Sequence, residues 1–314
     1  EQVKEHLNKV ALRGIQIFPQ VYLREKNYYF NGLRAASLKV LSPYLLSNGL
    51  IQRFLTIMTY LHITMKKAVF SLTLFFTLGL NSAAADAIRI VPLGDSITQG
   101  VGNDFPDPVG YDTYRRRLYQ MLTAAGYDID FVGSMNTTWK CNGHANDDFD
   151  PDHEGHFAWR TDYILKGRIW KCRGDGNLRR WLKNYTPDMA LVHLGTNDMF
   201  EKRSVDSTLD DLVKVIDTLR KSNPDVVVFL ARVLPTADVE KNKRIIALNA
   251  RMDEVKKRSD QPRSRVIIVD QYDGFDVDKD FFDGVHPNLA GEEKMAQRWF
   301  DAIDAYLKTV SRSD

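Results

Sequence analysis

From Ile88 onwards the chain carries five short runs that are almost wholly apolar, Ile88–Leu93, Ile129–Val132, Met189–Leu194, Val226–Leu230 and Val266–Val269. A strand with one wet face alternates apolar and polar residues, whereas a strand covered on both faces does not. Longer amphipathic stretches separate the runs: Tyr111–Ala125, with Leu118, Met121 and Leu122 on one face, then Thr208–Lys221, Lys241–Lys257 and a last one after Pro287. The expected class is α/β, a three-layer α/β/α domain around a central five-stranded parallel sheet. The Gly-, Asn-, Asp- and His-rich stretch Gly133–Gly155 reads as a loop.

In such sheets ligands bind where the strands end at their carboxyl termini. Beyond the first, third and fifth runs stand Gly94-Asp95-Ser96, Gly195-Thr196-Asn197-Asp198 and Asp283-Gly284-Val285-His286-Pro287. A serine hydroxyl becomes a nucleophile only when a base removes its proton, and the base needs a third group to orient it. Ser96 lies in a glycine-flanked turn, and Asp283 is close enough to His286 for a short turn to join them. Asn197 has an amide able to donate to an oxyanion. Taken singly, each has a plainer role: Ser96 and Asp283 as turn or cap residues, His286 at the surface, Asn197 bonded to its own backbone. Their order and their placement at strand ends raise them together. Asp198 is expected to brace the loop.

Charge is distributed unevenly. Glu1–Ala85 holds ten basic and three acidic residues, net +7, and the remainder holds 33 basic and 38 acidic, net −5. A mildly acidic body argues against nucleic acid or an anionic membrane as partner. Met65-Lys66-Lys67, the apolar run Ala68–Leu80 and Ala83-Ala84-Ala85 have the layout of a secretory signal peptide,. The run is too short for a membrane span. The expected organisation is thus 1–64 as upstream or vector-encoded sequence, 65–85 as signal peptide, and 86–314 as one domain, secreted or periplasmic. In an oxidising compartment Cys141 and Cys172 are expected to form a disulfide.

The three segments, read as G-D-S-I-T-Q-G, G-T-N-D and D-G-V-H-P-N, resemble the first, third and fifth blocks of the SGNH or GDSL hydrolases, in the same order and across Ile88 to about Leu307. Within that superfamily the chain is most similar to the acetylxylan esterases of carbohydrate esterase family 3. The residues that carry this likeness are Val91–Thr98, Asp130–Ser134, Asp152–Arg160 and His193–Met199. The resemblance implies a flavodoxin-like fold and assigns Ser96 as nucleophile, His286 as base, and Asp283 as its orienting carboxylate. It also implies an oxyanion hole made by the Ser96 amide, Asn197 and a backbone amide of the second block. The family usually places Gly at that last position, and here it is Ala158. An alanine keeps the amide but adopts positive φ only at a cost, so either the backbone is ordinary there or the donor is imperfect.

Thr137–Asp150 and Lys166–Asn177 look like insertions relative to the family, and they contain the two cysteines. Trp139, Trp159 and Trp170 lie near them as candidate sugar platforms, with the alternative that they are core. Trp159 and Asp95 are the residues expected to touch substrate. The spacing of His144, His153 and His156 with Asp147, Asp148, Asp150, Asp152 and Glu154 fits neither H-E-x-x-H nor an EF-hand loop. A solvated acidic loop is expected, with no catalytic metal and no cofactor; a calcium ion bound for stability, apart from catalysis, is the alternative. The implied activity is a serine carboxylic-ester hydrolase acting on acetylated polysaccharide such as xylan, or on another short-chain ester. Esterase or lipase action on acyl, aryl or lipid esters is the alternative within the superfamily, and a non-catalytic glycan-binding protein is the alternative outside it.

Overall fold

Strand β1 (Ile88–Gly94) has a proline, Pro92, in its middle, although a central strand normally uses every amide,. The computed structural model, which describes residues 86–101, 112–141, 143, 146–170 and 174–311, resolves this. On one side β1 pairs in parallel with β2 (Ile129–Phe131) as far as Ile90, and then from Leu93 with the two-residue β3 (Glu154–Gly155). Ile90 and Gly94 turn their carbonyls to that side, accepting from Val132 and His156. Pro92, which has no amide to give, falls in the gap between β2 and β3.

The other side of β1 pairs with β6 (Met189–His193), followed by β7 (Val227–Arg232) and β8 (Val266–Asp270), all parallel. The main order is β2-β1-β6-β7-β8, with β3 added at β1. The five expected strands are all present and the order is that of a flavodoxin-like doubly wound sheet. One core lies on each face, with Ala190 and Val192 of β6 pointing into one and Met189 and Leu191 into the other. Helices cover both: α1 (Ser96–Gln99), α2 (Thr113–Ala124), α3 (Thr161–Lys166), α4 (Leu178–Trp181), α5 (Thr196–Phe200), α6 (Val205–Ser222), α7 (Val239–Asn249), α8 (Met252–Ser259) and α9 (Leu289–Val310).

The helix expected over Lys241–Lys257 is two helices, α7 and α8. Asn249 is buried at the break, its amide exchanging two 2.8 Å hydrogen bonds with the Val233 backbone just past β7. That long-range pair fixes where the helix stops, and no local propensity signals it. The presumed loop before Gly155 contains a 3₁₀ turn, Trp139–Cys141, and β3. A hairpin, β4 (Arg168–Trp170) with β5 (Gly174–Gly176), forms a separate ladder. Among the described residues no helix is long and apolar enough to cross a membrane. The segments read as 1–64 and 65–85 lie outside the described residues, as do Cys172, and with it the expected bridge to Cys141, and His144.

Candidate active site

β1 and β6 stand at the point where the strand order reverses, which opens a crevice at their carboxyl ends. The chain leaves β1 at Gly94, where a Cβ would lie 2.2 Å from Thr98 Oγ1, so only glycine fits the turn. Asp95 follows and caps α1, its Oδ1 accepting from the Ile97 amide at 3.0 Å. This cap starts the helix at Ser96.

The fifth-block turn places His286 beside that serine. Ser96 Oγ lies 2.9 Å from His286 Nε2, and His286 Nδ1 lies 2.7 Å from Asp283 Oδ2. A carboxylate only accepts, so Nδ1 carries the ring proton and donates it to Asp283, and Nε2 is left to accept from the serine hydroxyl. Asp283 also shapes the turn, its Oδ1 accepting from the Val285 and His286 amides at 2.9 and 2.7 Å. Burial pushes this carboxyl up, but the His286 imidazole and the two amides outweigh burial and hold it below the usual carboxylate range. Between them Gly284 has φ +77°, which an alanine would adopt only under strain,. Its carbonyl accepts from Thr236 Oγ1 at 2.8 Å and the Ala237 amide at 2.9 Å, tying the turn to the exit of β7.

Second-block residues close the other side. His156, Phe157 and Trp159 all spend their amides: on Gly94 O at 3.0 Å, on Gln99 Oε1 at 2.7 Å and on His156 O at 3.0 Å. The amides of Ala158 and Ser96 have no hydrogen-bond partner among the described residues. A donor left unspent on the serine itself and another in the second block are groups that an oxyanion could draw on.

Ala158 has φ +61°, so the backbone there is not ordinary; an alanine occupies the left-handed conformation that glycine takes without strain,. Ala158→Gly is expected to keep turnover within about twofold and to stabilise the fold by about 1 kcal/mol, since relief of strain exceeds the added entropy of the unfolded chain. Thermal unfolding checks this, with a rise in Tm of about 2–4 °C expected for a domain of this size.

Two residues expected at the substrate are elsewhere. Trp159 is fully buried, its ring 4.6 Å from that of His156, so it is core and not a sugar platform. Asp95 is 1% exposed and reaches Asn197 instead of the crevice. Burial pushes its carboxyl up to about 6. A folded-state value above the unfolded one means that the folded protein holds the proton more tightly. The stability cost is therefore absent below about pH 4, grows between about pH 4 and 6, and is fully present above that. The Tm of Asp95→Asn relative to wild type is expected to climb across that interval; a flat difference would contradict the buried charge.

The acidic stretch also departs from expectation. Asp147 and Asp148 are exposed, but His153, Glu154 and His156 are fully buried. His156 lies between Trp159 and Trp181, 4.4 Å from the latter ring, and its Nε2 is 2.9 Å from Glu154 Oε1. Glu154 also accepts from the Ser134 amide and the Tyr185 hydroxyl. This is a satisfied polar core behind the second block. Among the described residues no cluster of His, Cys, Asp and Glu could hold a metal ion. Asp198 braces as expected, accepting from Thr161 and pairing with Arg203 at 2.6 Å.

Sequence reasoning missed Gln99 and Arg115. Gln99 holds the second block through Phe157. Arg115, 1% exposed, donates to Thr98 O at 2.9 Å and Pro151 O at 2.6 Å, tying the Ser96 turn to the segment that leads into β3. Gln99 stands in the seven-residue motif itself, yet a polar side chain in a glycine-flanked turn reads as surface. Arg115 looks like any cation on an amphipathic helix.

A flavodoxin-like sheet with this serine, histidine and aspartate at its carboxyl rim defines the class, a hydrolase domain of the SGNH type. The chain belongs to the GDSL-like lipase/acylhydrolase family, whose model matches residues 93–294, and the matched domain is a carboxylic ester hydrolase. A multidomain esterase of Ruminococcus flavefaciens is 31% identical over 268 residues, which is 82% of this chain and 33% of that protein. The chain thus spans about a third of that relative's length. A carbohydrate esterase of family 3 from Talaromyces cellulolyticus is 29% identical with a TM-score of 0.58, covering 71% of this chain and 99% of that one. A mutant acetyl esterase solved with an acetate ion has the same identity and coverage and a TM-score of 0.59.

Proposed function

We propose that the domain is a secreted serine esterase that removes acetyl groups from xylan or a related plant cell wall polysaccharide. The observation that carries this reading is the hydrogen-bonded series Ser96–His286–Asp283, with the amides of Ser96 and Ala158 left without partners among the described residues. The similarity to carbohydrate and acetyl esterases supports the choice of substrate.

In this mechanism Ser96 Oγ attacks the acetyl carbonyl as its proton passes to His286 Nε2. Asp283 steadies the resulting imidazolium. The Ser96 and Ala158 amides and Asn197 hold the tetrahedral oxyanion. His286 then protonates the sugar oxygen, the C–O bond breaks, and acetyl-Ser96 remains. A water that gives its proton to His286 attacks this ester, and collapse returns the proton to Ser96 and releases acetate. No cofactor takes part. Export would follow from the leader at 65–85, with Cys141 and Cys172 joined across the insertions.

Acetate release from acetylated xylan, measured beside turnover of p-nitrophenyl acetate and octanoate, tests the reading. Release from xylan with acetate turned over far faster than octanoate is expected. Preference for octanoate without release from xylan would point to a lipase-like enzyme and overturn it.

A further inference from the structure

Asn197 is not idle in this structure. Its side-chain Nδ2 carries two protons and lies 3.1 Å from Asp95 Oδ2 and 3.2 Å from the Trp159 carbonyl. Those two acceptors differ in kind. Asp95 is a buried carboxylate whose other oxygen caps α1, so its position is fixed by the turn that carries Ser96. The Trp159 carbonyl is a neutral acceptor at the long end of the hydrogen-bonding range. A hydrogen bond to an ionised oxygen is about twice as strong as one to a neutral carbonyl. The proton facing Trp159 is therefore the one a developing oxyanion would draw away, while the one facing Asp95 stays.

We propose that Asp95 is a positioning residue for the oxyanion donor: its carboxylate grips one Asn197 N–H and leaves the other to swing from the Trp159 carbonyl to the transition-state oxyanion. The role rests on the serine-esterase reading above and adds a residue that touches no substrate. Asp95 holds the amide in register with Ser96 because both belong to one capped turn. The aspartate of the nucleophile turn is thereby accounted for by the reaction as well as by the helix cap, which asparagine or serine would serve as well.

A double-mutant cycle on p-nitrophenyl acetate separates the two roles. Asparagine at 95 keeps an oxygen for the Ile97 amide but turns an N–H₂ toward Asn197, so the grip is lost and the cap is not. Asp95→Asn and Asn197→Ala are each expected to lower kcat about 10²-fold, with KM within threefold of wild type. The double variant should be no more than threefold below the slower single variant, because both changes remove one interaction. Asp95→Ser, which caps but cannot reach Asn197, should match Asp95→Asn and serves if that variant folds poorly. A kcat for Asp95→Asn within threefold of wild type, or a double variant whose loss is the product of the single losses, would overturn the proposal. Turnover retained in Ser96→Ala would instead overturn the esterase reading beneath it, so the two failures are distinguishable.

Discussion

Ser96→Ala is expected to lower kcat on p-nitrophenyl acetate by about 10⁴- to 10⁶-fold, roughly 5–8 kcal/mol of barrier, with the fold intact. Ser96 is 8% exposed, and among the described residues its Oγ has one partner, His286 Nε2 at 2.9 Å. Alanine leaves the imidazole with nothing to deprotonate except water, while Asp95 still caps α1 and Gly94 still makes the turn. Stability should therefore change little. His286→Ala should cost about as much, and the double variant little more than either, because the two act as a unit. An unchanged rate in Ser96→Ala would mean that the ester bond is broken by a different group.

The second large effect is at Asp283. Asp283→Asn should keep the turn, since an amide oxygen can still accept from the Val285 and His286 backbone. Its N–H₂, however, would face Nδ1 where the carboxylate Oδ2 now lies at 2.7 Å. A donor there favours the tautomer protonated on Nε2, which cannot take the serine proton, and it cannot stabilise an imidazolium. A fall in kcat of about 10²- to 10⁴-fold with KM nearly unchanged is expected in steady-state assays. A matching rise in KM would mean that Asp283 binds substrate instead of orienting the base.

The strands were legible in the sequence because burial on both faces removes alternation, and a run as short and as β-branched as Val226–Leu230 suits a doubly covered strand far better than a helix. The candidate site was legible for a related reason: polar residues placed just past such runs stand at the carboxyl rim. What escaped was set by partners distant in sequence. Glu154 and His156 read as a solvated acidic loop because Tyr185 and Trp181, which receive them, lie tens of residues away. Asp95 looked like a substrate contact until Asn197, more than a hundred residues on, took its carboxylate. The break at Asn249 depended on Val233. The Gly-to-Ala departure at Ala158 was visible as composition, but the φ of +61° it had to accept was not.

In the proposed reaction the Ser96 hydroxyl is activated by His286 and attacks the substrate carbonyl. Stoichiometric treatment with a serine-directed organophosphonate, followed by mass spectrometry of the proteolysed chain, tests this most directly. A single phosphonyl adduct on Ser96, formed in parallel with loss of turnover and not formed in His286→Ala, is the result expected. Full inactivation with Ser96 unlabelled, or labelling of Ser96 at an equal rate without His286, would contradict it.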